Sequence, residues 1–291
     1  MNGFLSILKP PGLTSSAVVL HIKRCLPRGT KIGHAGTLDP EAAGVLPIMI
    51  GKATRLFDYT TEKKKIYIAE IIFGIETDTQ DSTGAIINRK ETKVSVEKLL
   101  NIIPLFEGDI EQIPPMYSAI KLGGQRLYDL AREGTVVKRE KRPVHVYSIE
   151  VINKNDPCLL KITCAKGTYI RTLCHDIGRA MGEYACMGML IRTSSGVFTI
   201  ENAHTLEEIN GVSDIEEHIL PMDYPLQDMQ AVYLSSALKK AVWNGTPISK
   251  KLIDTVSPEN MPVRIYCDHT FCGIGQFDKE YLRFNSMLLE K

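Results

Sequence analysis

The 291-residue chain has no apolar run approaching the roughly 20 residues of a membrane span, and its opening Met1-Asn2-Gly3-Phe4 lacks a basic segment followed by an apolar one. These absences argue against a membrane-spanning or secreted protein and set the expectation of a cytoplasmic one. Cysteine is sparse: seven residues, an odd number, at irregular spacing and without Cys-x-x-Cys. A disulfide framework is therefore excluded, and the thiols are expected to stay reduced. Only Cys267-Asp268-His269-Thr270-Phe271-Cys272 gathers metal-type ligands. A structural zinc site needs four, so a hairpin carrying two thiols is expected and no metal is assigned. Gly51-Lys52-Ala53-Thr54 lacks the preceding glycine and the hydroxyl of a phosphate loop, which removes a nucleotide site. The acids of residues 77–84 lack calcium-loop spacing and read as a turn. No repeats or low-complexity tracts occur.

A large excess of positive charge is also missing, since the net charge is +1, yet the total hides an asymmetry. Residues 1–65 carry ten Lys/Arg against four Asp/Glu, a net of +6, whereas residues 201–291 carry eight against fourteen, a net of −6. The amino-terminal part suits a polyanion and the tail does not. Basic runs at 63–65 and 138–142 agree with that division. With 44% apolar residues the chain can fill a core, and its length suits one large domain plus a small one. The boundary is expected near residue 230, after the linker-like Leu220-Pro221-Met222-Asp223-Tyr224-Pro225.

Local patterns place strands at residues 4–8, 45–50, 66–75, 144–147, 159–165, 185–192 and 197–200. Helices are expected over 17–26, 52–59, 96–103, 127–131 and 168–178, with a short one after the capping box Thr205-Leu206-Glu207-Glu208. Residues 112–121 contain two adjacent prolines and read as irregular. From about 231, a helix ending at Trp243-Asn244-Gly245 precedes alternating segments, a small β-rich module.

One stretch departs from this ordinary composition. Residues 33–48, Gly-His-Ala-Gly-Thr-Leu-Asp-Pro-Glu-Ala-Ala-Gly-Val-Leu-Pro-Ile, place three glycines, His34 and Asp39 in one loop. Two readings stand for Asp39. It is a helix N-cap followed by Pro40 and Glu41 in the first turn, or a carboxylate presented for chemistry. The cap explains Asp-Pro-Glu but neither the Gly-His-Ala-Gly run nor Gly44, which would end the helix after one turn. Arg171, in the first turn of its helix, opposes the helix dipole and calls for an anionic partner elsewhere.

Six motifs occur in order over residues 3–200: Lys9-Pro10-x-Gly12-x-Thr14-Ser15; Gly33-His34-x-Gly36-Thr37-Leu38-Asp39-Pro40 with Gly44-Val45-Leu46-Pro47; Phe73-Gly74-x-x-Thr77-Asp78-Thr79-x-Asp81-x-x-Gly84; Pro114-Pro115-x-Tyr117-Ser118-Ala119-x-Lys121; residues 166–173, Lys-Gly-Thr-Tyr-Ile-Arg-Thr-Leu; and Leu190-x-Arg192-Thr193-x-x-Gly196-x-Phe198. In these the chain closely resembles the TruB family of tRNA pseudouridine-55 synthases. It departs from the usual pattern at Leu8, where the family has Asp, and at Ala35, where it has Thr. The resemblance implies an α+β fold: a catalytic domain over 1–230 around a mixed, mainly antiparallel sheet, and a small β-rich, RNA-binding-like (PUA-like) module over 231–291. It implies isomerisation of uridine 55 in the tRNA T-arm to pseudouridine, with no cofactor or metal and with tRNA as the partner of a monomer. By resemblance Asp39 is the catalytic carboxylate, Tyr67 stacks on the target base, Arg171 pairs with Asp39, and His34 holds the flipped-out region. Tyr169, Leu190 and Lys9 match other pocket positions.

Overall fold

The computed structural model describes residues 1–118, 120–135, 137–153, 156–255 and 257–289. Ala119 of the fourth motif lies outside them. In chain order the strands are β1 (Gly3–Lys9), β2 (Ile32–His34), β3 (Ala43–Ile50), β4 (Lys65–Phe73), β5 (Ile75–Thr77), β6 (Ile86–Arg89), β7 (Gly108–Gln112), β8 (Lys121–Leu122), β9 (Gln125–Arg126), β10 (Arg142–Asn153), β11 (Asp156–Cys164), β12 (Ala185–Ser195) and β13 (Phe198–Thr199). The series closes with β14 (Ala231–Leu234), β15 (Ile248–Ser249), β16 (Pro262–Cys267), β17 (Thr270–Phe277) and β18 (Tyr281–Met287). The helices are α1 (Ser15–Arg24), α2 (Phe57–Thr61), α3 (Val96–Ile102), α4 (Leu127–Arg132), α5 (Ile170–Ala180), α6 (Val212–His218) and α7 (Lys239–Asn244).

A nine-stranded sheet runs β1-β3-β12-β4-β11-β10-β7, with β2 on β3 and β13 on β12. Every pairing is antiparallel except β3 with β12, so the mixed, mainly antiparallel α+β expectation holds. Its strands alternate as half-buried strands do: Tyr67, Ala69 and Ile71 of β4 point into a core with Ile162 of β11 and Leu173 and Ile177 of α5. A second core forms where Val18 and Ile22 of α1 meet Leu5, Ile7, Leu46 and Ile48. Thr14 caps α1 as its sequence indicates, accepting from the Ala17 N–H at 3.0 Å.

The C-terminal sheet has the order β14-β16-β17-β18-β15. Its β16–β17 turn is the expected thiol-bearing hairpin, with Asp268 and His269 both at positive φ as a tight two-residue turn requires. Helix α7 ends at Gly245 in the left-handed conformation, whose N–H donates to Val242 O at 3.0 Å.

Several local expectations are corrected. The helix read at 52–59 begins as a 3₁₀ turn over Gly51–Leu56. At three residues per turn Ala53 and Leu56 share the buried side, while Phe57 is thrown outward and is 46% exposed. The box at Thr205 forms its back-bond, Thr205 N–H to Glu208 Oε2 at 2.8 Å, without a helix. The neighbouring His204 is held in strand-like pairing with β1, donating to Ser6 O and accepting from Leu8 N–H. Residues 220–225 are no free linker either. Leu220 exchanges two backbone hydrogen bonds with Phe4, and the adjoining Leu226 is fully buried with Phe4 and Phe198.

Gly44 is where the fold leaves no room for a side chain. It has φ +113°, and a Cβ there would lie 2.2 Å from the Arg192 carbonyl oxygen of the parallel neighbour strand. Gly44→Ala is expected to destabilise the protein by at least about 2 kcal/mol, from strain and backbone collision together. Urea unfolding with an unchanged m-value would register it as a lowered midpoint.

Candidate active site

The 33–48 stretch begins in β2 and ends in β3, residues 35–42 forming the loop between them, and no helix follows Asp39. The chain turns once, with Ala42 N–H donating to Asp39 O at 3.1 Å, and enters β3. Pro40 and Glu41 are thus turn residues. The Asp39 side chain caps no helix, because its oxygens are engaged elsewhere.

Three residues remote in sequence pin this loop. Ser15 brackets the Leu38 peptide: its Oγ accepts from Leu38 N–H at 2.9 Å and lies 3.1 Å from Leu38 O. Lys9, fully buried, donates to the carbonyls of Pro10, Leu13 and Pro40 at 2.8, 2.6 and 2.8 Å. An ammonium has three donors, and all of them are used. Burial lowers the Lys9 pKa to about 8, against the opposing pull of Glu41 and Asp39. Arg192, 1% exposed, donates through Nε to Val45 O at 2.8 Å and through Nη2 to Gly36 O at 3.1 Å, with Nη1 3.4 Å from Thr37 O.

Arg192 is also the neighbour of Tyr67 across the β12–β4 pairing, and its charge pulls the phenol pKa down. Burial is the chief reason that the phenol is pushed upward, so Tyr67 is neutral. Leu190, two residues before Arg192, is buried in the same cluster as Tyr67 and Leu38. His34 lies at the end of β2, its Nδ1 buried without a hydrogen-bond partner. Burial, then the Arg192 charge, lowers its pKa and keeps the imidazole neutral.

Arg171 occupies the second position of α5 and is 5% exposed. Its guanidinium holds Asp39 at both oxygens, Nη2 donating to Oδ1 at 3.0 Å and Nε lying 2.9 Å from Oδ2 in an ion pair. Here is the anionic partner that its place against the helix dipole requires. The remaining donors reach Tyr117 O at 2.8 Å and Thr79 O at 3.3 Å, with Asp81 Oδ2 3.7 Å from Nη1. Asp39 and Arg171 are therefore brought together across 132 residues, and the 77–84 turn and the 114–121 segment close around them. The Asp39 side chain stays 35% exposed while Arg171 is enclosed, so the carboxylate faces outward from a fixed cation. Burial pushes the Asp39 carboxyl up, Arg171 pulls it down and Asp81 pushes it up again, with a net upward shift.

Tyr169 stands at the N-cap of α5. Its backbone N–H donates to Gln112 Oε1 at 2.9 Å and its carbonyl accepts from Gln112 Nε2 at 3.2 Å, which docks the start of α5 on the end of β7. Ser15, Gln112 and Arg192 received no individual role from the sequence reading. Ser15 and Arg192 stand in the motifs, but burial and partners, which define their work, are invisible there. A cavity of about 590 Å³ lies elsewhere, beside the C-terminal sheet and lined by Asn2, Met222, Trp243 and Phe271; none of the Asp39 group borders it.

Residues 23–170 match the TruB family pseudouridylate synthase N-terminal domain, and residues 171–227 match the tRNA pseudouridylate synthase B C-terminal domain. The chain is 44% identical over 299 residues to tRNA pseudouridine synthase B of Alkaliphilus oremlandii, covering both chains fully. It is 41% identical to that of Clostridium tetani, over 99% of this chain and 100% of the relative. Among solved structures it resembles a chain of an H/ACA RNP bound to a substrate RNA containing 2'-deoxyuridine. That match has a TM-score of 0.75, 25% identity, and covers 99% of this chain and 85% of the other. A Cbf5-Nop10-Gar1 complex matches with a TM-score of 0.74 and 27% identity, over 99% and 84% of the two chains. By the order of its motifs, its sheet and its full-length relatives, the chain belongs to the TruB family of pseudouridylate synthases.

Proposed function

We propose that the protein isomerises uridine 55 in the T-arm of tRNA to pseudouridine, with Asp39 as the nucleophile and without cofactor or metal. The observation that carries the reading is the Asp39–Arg171 pair, a partly exposed carboxylate met at both oxygens by an enclosed guanidinium. A planar fork fixes direction as well as charge, so Arg171 aims Asp39 and favours its ionised form.

A uridine inside a folded arm is out of reach, and extruding it costs about a few kcal/mol. Tyr67 offers an aromatic surface of the kind that returns about 1–3 kcal/mol per stacked base. Leu190 and Tyr169 are read as walls of the same pocket. His34, with an unpartnered ring nitrogen, is read as a contact to the displaced region. Lys9 acts from beneath, through the carbonyls that shape the loop. Cleavage of the C–N glycosidic bond leaves a base to be rotated and rejoined through carbon, and an ionised carboxylate can attack or stabilise the cleaved sugar. Hydrolysis of a glycosidic bond ordinarily uses two carboxylates with a water. Asp81 is instead engaged through Oδ1 by the Thr79 and Thr83 hydroxyls and through Oδ2 faces Arg171, which suits an isomerase.

The protein is read as acting as a monomer, and the substrate fits the cytoplasm. Residues 1–230 are read as the catalytic domain and 231–291, with eight Lys/Arg against six Asp/Glu, as a small RNA-binding-like module.

Release of tritium from 5-labelled uridine in a T-arm transcript tests the function directly. A module that only binds RNA releases none, and a glycosylase liberates free uracil; either outcome refutes the proposal. Asp39→Asn is expected to abolish release while tRNA affinity stays within about threefold, a loss confined to the transition state. Arg171→Lys keeps the charge but loses the fork, and its rate should fall by roughly a hundredfold or more without a matching drop in melting temperature; wild-type activity in this variant would refute the bidentate role. Because the Asp39 carboxyl is shifted upward, activity is full above its pKa and is lost as pH falls through it. The acid limb of kcat/KM is expected above the ordinary aspartate range, and Arg171→Met should move it higher still. A limb at or below that range would contradict the burial argument.

A further inference from the structure

Beyond the residues around Asp39, α5 carries a second set of charges with no part in the reaction described above. Arg171, His175 and Arg179 are spaced by four residues and so form one stripe along the helix. The lower two meet Glu76 of β5, which is only 4% exposed. Glu76 Oε1 lies 2.8 Å from His175 Nε2 and accepts from Arg179 Nη2 at 3.0 Å, while Oε2 accepts from Asn88 Nδ2 of β6 at 2.8 Å. The other imidazole nitrogen, Nδ1, lies 3.1 Å from Asp176 Oδ1. Two carboxylates, one at each ring nitrogen, require both nitrogens to be donors, and that is the imidazolium.

Glu76 opens the same 75–84 segment whose turn faces Arg171. Thr79 O accepts from Arg171, and Thr172 Oγ1 donates to Gln80 Oε1 at 2.8 Å. Helix and segment are thus fastened twice, near Arg171 and again one and two turns further along. We propose that the Glu76–His175 pair is a positioning device, fixing α5 against the 75–84 segment so that the Arg171 guanidinium meets Asp39 squarely. The inference rests on the Asp39–Arg171 reading of the reaction centre.

The charged groups facing His175 are Glu76 from β5 and Asp176 and Arg179 from α5 itself; β6 supplies the neutral Asn88. Of the other packed elements, Lys98 of α3 is bound at the far end of the helix to Met181 O, and Glu70 of β4 accepts from Met189 N–H. Asp176, then Glu76, raises the His175 pKa against the effect of burial, and the partners of Glu76 pull its carboxyl down to about 2. The device is intact below the His175 pKa and is lost as pH rises through it.

The test is the single-turnover rate of pseudouridine formation in His175→Gln, Glu76→Gln and wild type over about pH 6 to 10, alongside tRNA affinity and thermal unfolding. His175→Gln keeps hydrogen-bonding capacity but cannot titrate. Near neutrality its rate is expected to fall roughly tenfold or more through misplacement of the fork, with affinity unchanged. The wild-type to variant ratio should shrink toward one as pH rises and wild type loses its imidazolium. Lys9, with its pKa near 8, titrates in both proteins and cancels in that ratio. A ratio of one at every pH, or a reduced rate with a pH-independent ratio, overturns the inference. Should His175→Gln not fold, Glu76→Gln decides: its alkaline fall is expected at lower pH than in wild type, and an unmoved fall refutes the pairing. Asp39→Asn is measured in parallel. If it is active the reaction centre itself is misassigned, whereas an inactive Asp39→Asn beside a wild-type-like His175→Gln overturns the positioning role alone.

Discussion

A guanidinium enclosed by protein must find a partner for every donor, and two such groups, Arg171 and Arg192, organise this molecule. Each stands on a regular element, α5 or β12, and each reaches chiefly into chain that has no repeating structure of its own, Arg192 also taking Val45 O of β3. Arg192 takes the carbonyls of Gly36, Thr37 and Val45, and Arg171 takes those of Thr79 and Tyr117 together with the Asp39 carboxylate. Loops that would otherwise move are held because releasing them would leave buried charge unsatisfied. Removing one partner of such a pair costs about 3–5 kcal/mol, which is large against the stability of a whole domain.

The same requirement accounts for the electrostatic character of the site. Ordinary sheet and helix packing supplies the apolar floor of Leu38, Tyr67, Leu190 and Ile170. That floor raises Asp39 and Tyr67 and lowers His34 through desolvation. The guanidinium groups act on these shifts from fixed positions. Asp39 thus combines an environment that reduces its solvation with a cation that favours its charge, and remains partly open to an incoming group. Such a combination suits a carboxylate that must react without admitting a second, hydrolytic one.

Rigidity is distributed unevenly along α5. Its first turn is fastened to β7 through Gln112 and to the 75–84 turn through Arg171 and Thr172. Its middle and last turns are fastened through His175 and Arg179 to Glu76. One helix therefore carries the cation of the site and the anchors that orient it, which ties a local hydrogen-bond geometry to the packing of a whole element.

Local chemistry in the sequence determined much of this. Thr14 and Ser95 mark helix starts because their hydroxyls cap from the adjoining residue, Gly245 marks a helix end, and the alternation around Tyr67 and Ile162 marks sheet strands. The ordered motifs identified the family and singled out Asp39, Tyr67 and Arg171, and the dipole argument required an anion for Arg171. The resemblance named Asp39 as that anion, and tertiary structure brought the two together. It also decided that Asp39 caps no helix, that Phe57 faces out, that residues 220–226 pack onto β1 and the core instead of linking freely, and that Ser15, Gln112, His175 and Arg192 hold the site from outside it. The physical reason is common to all of these. A cap or an amphipathic stripe is settled within a few residues, whereas a buried charge is satisfied by whatever the fold brings near, here from 132 residues away in the case of Asp39 and Arg171.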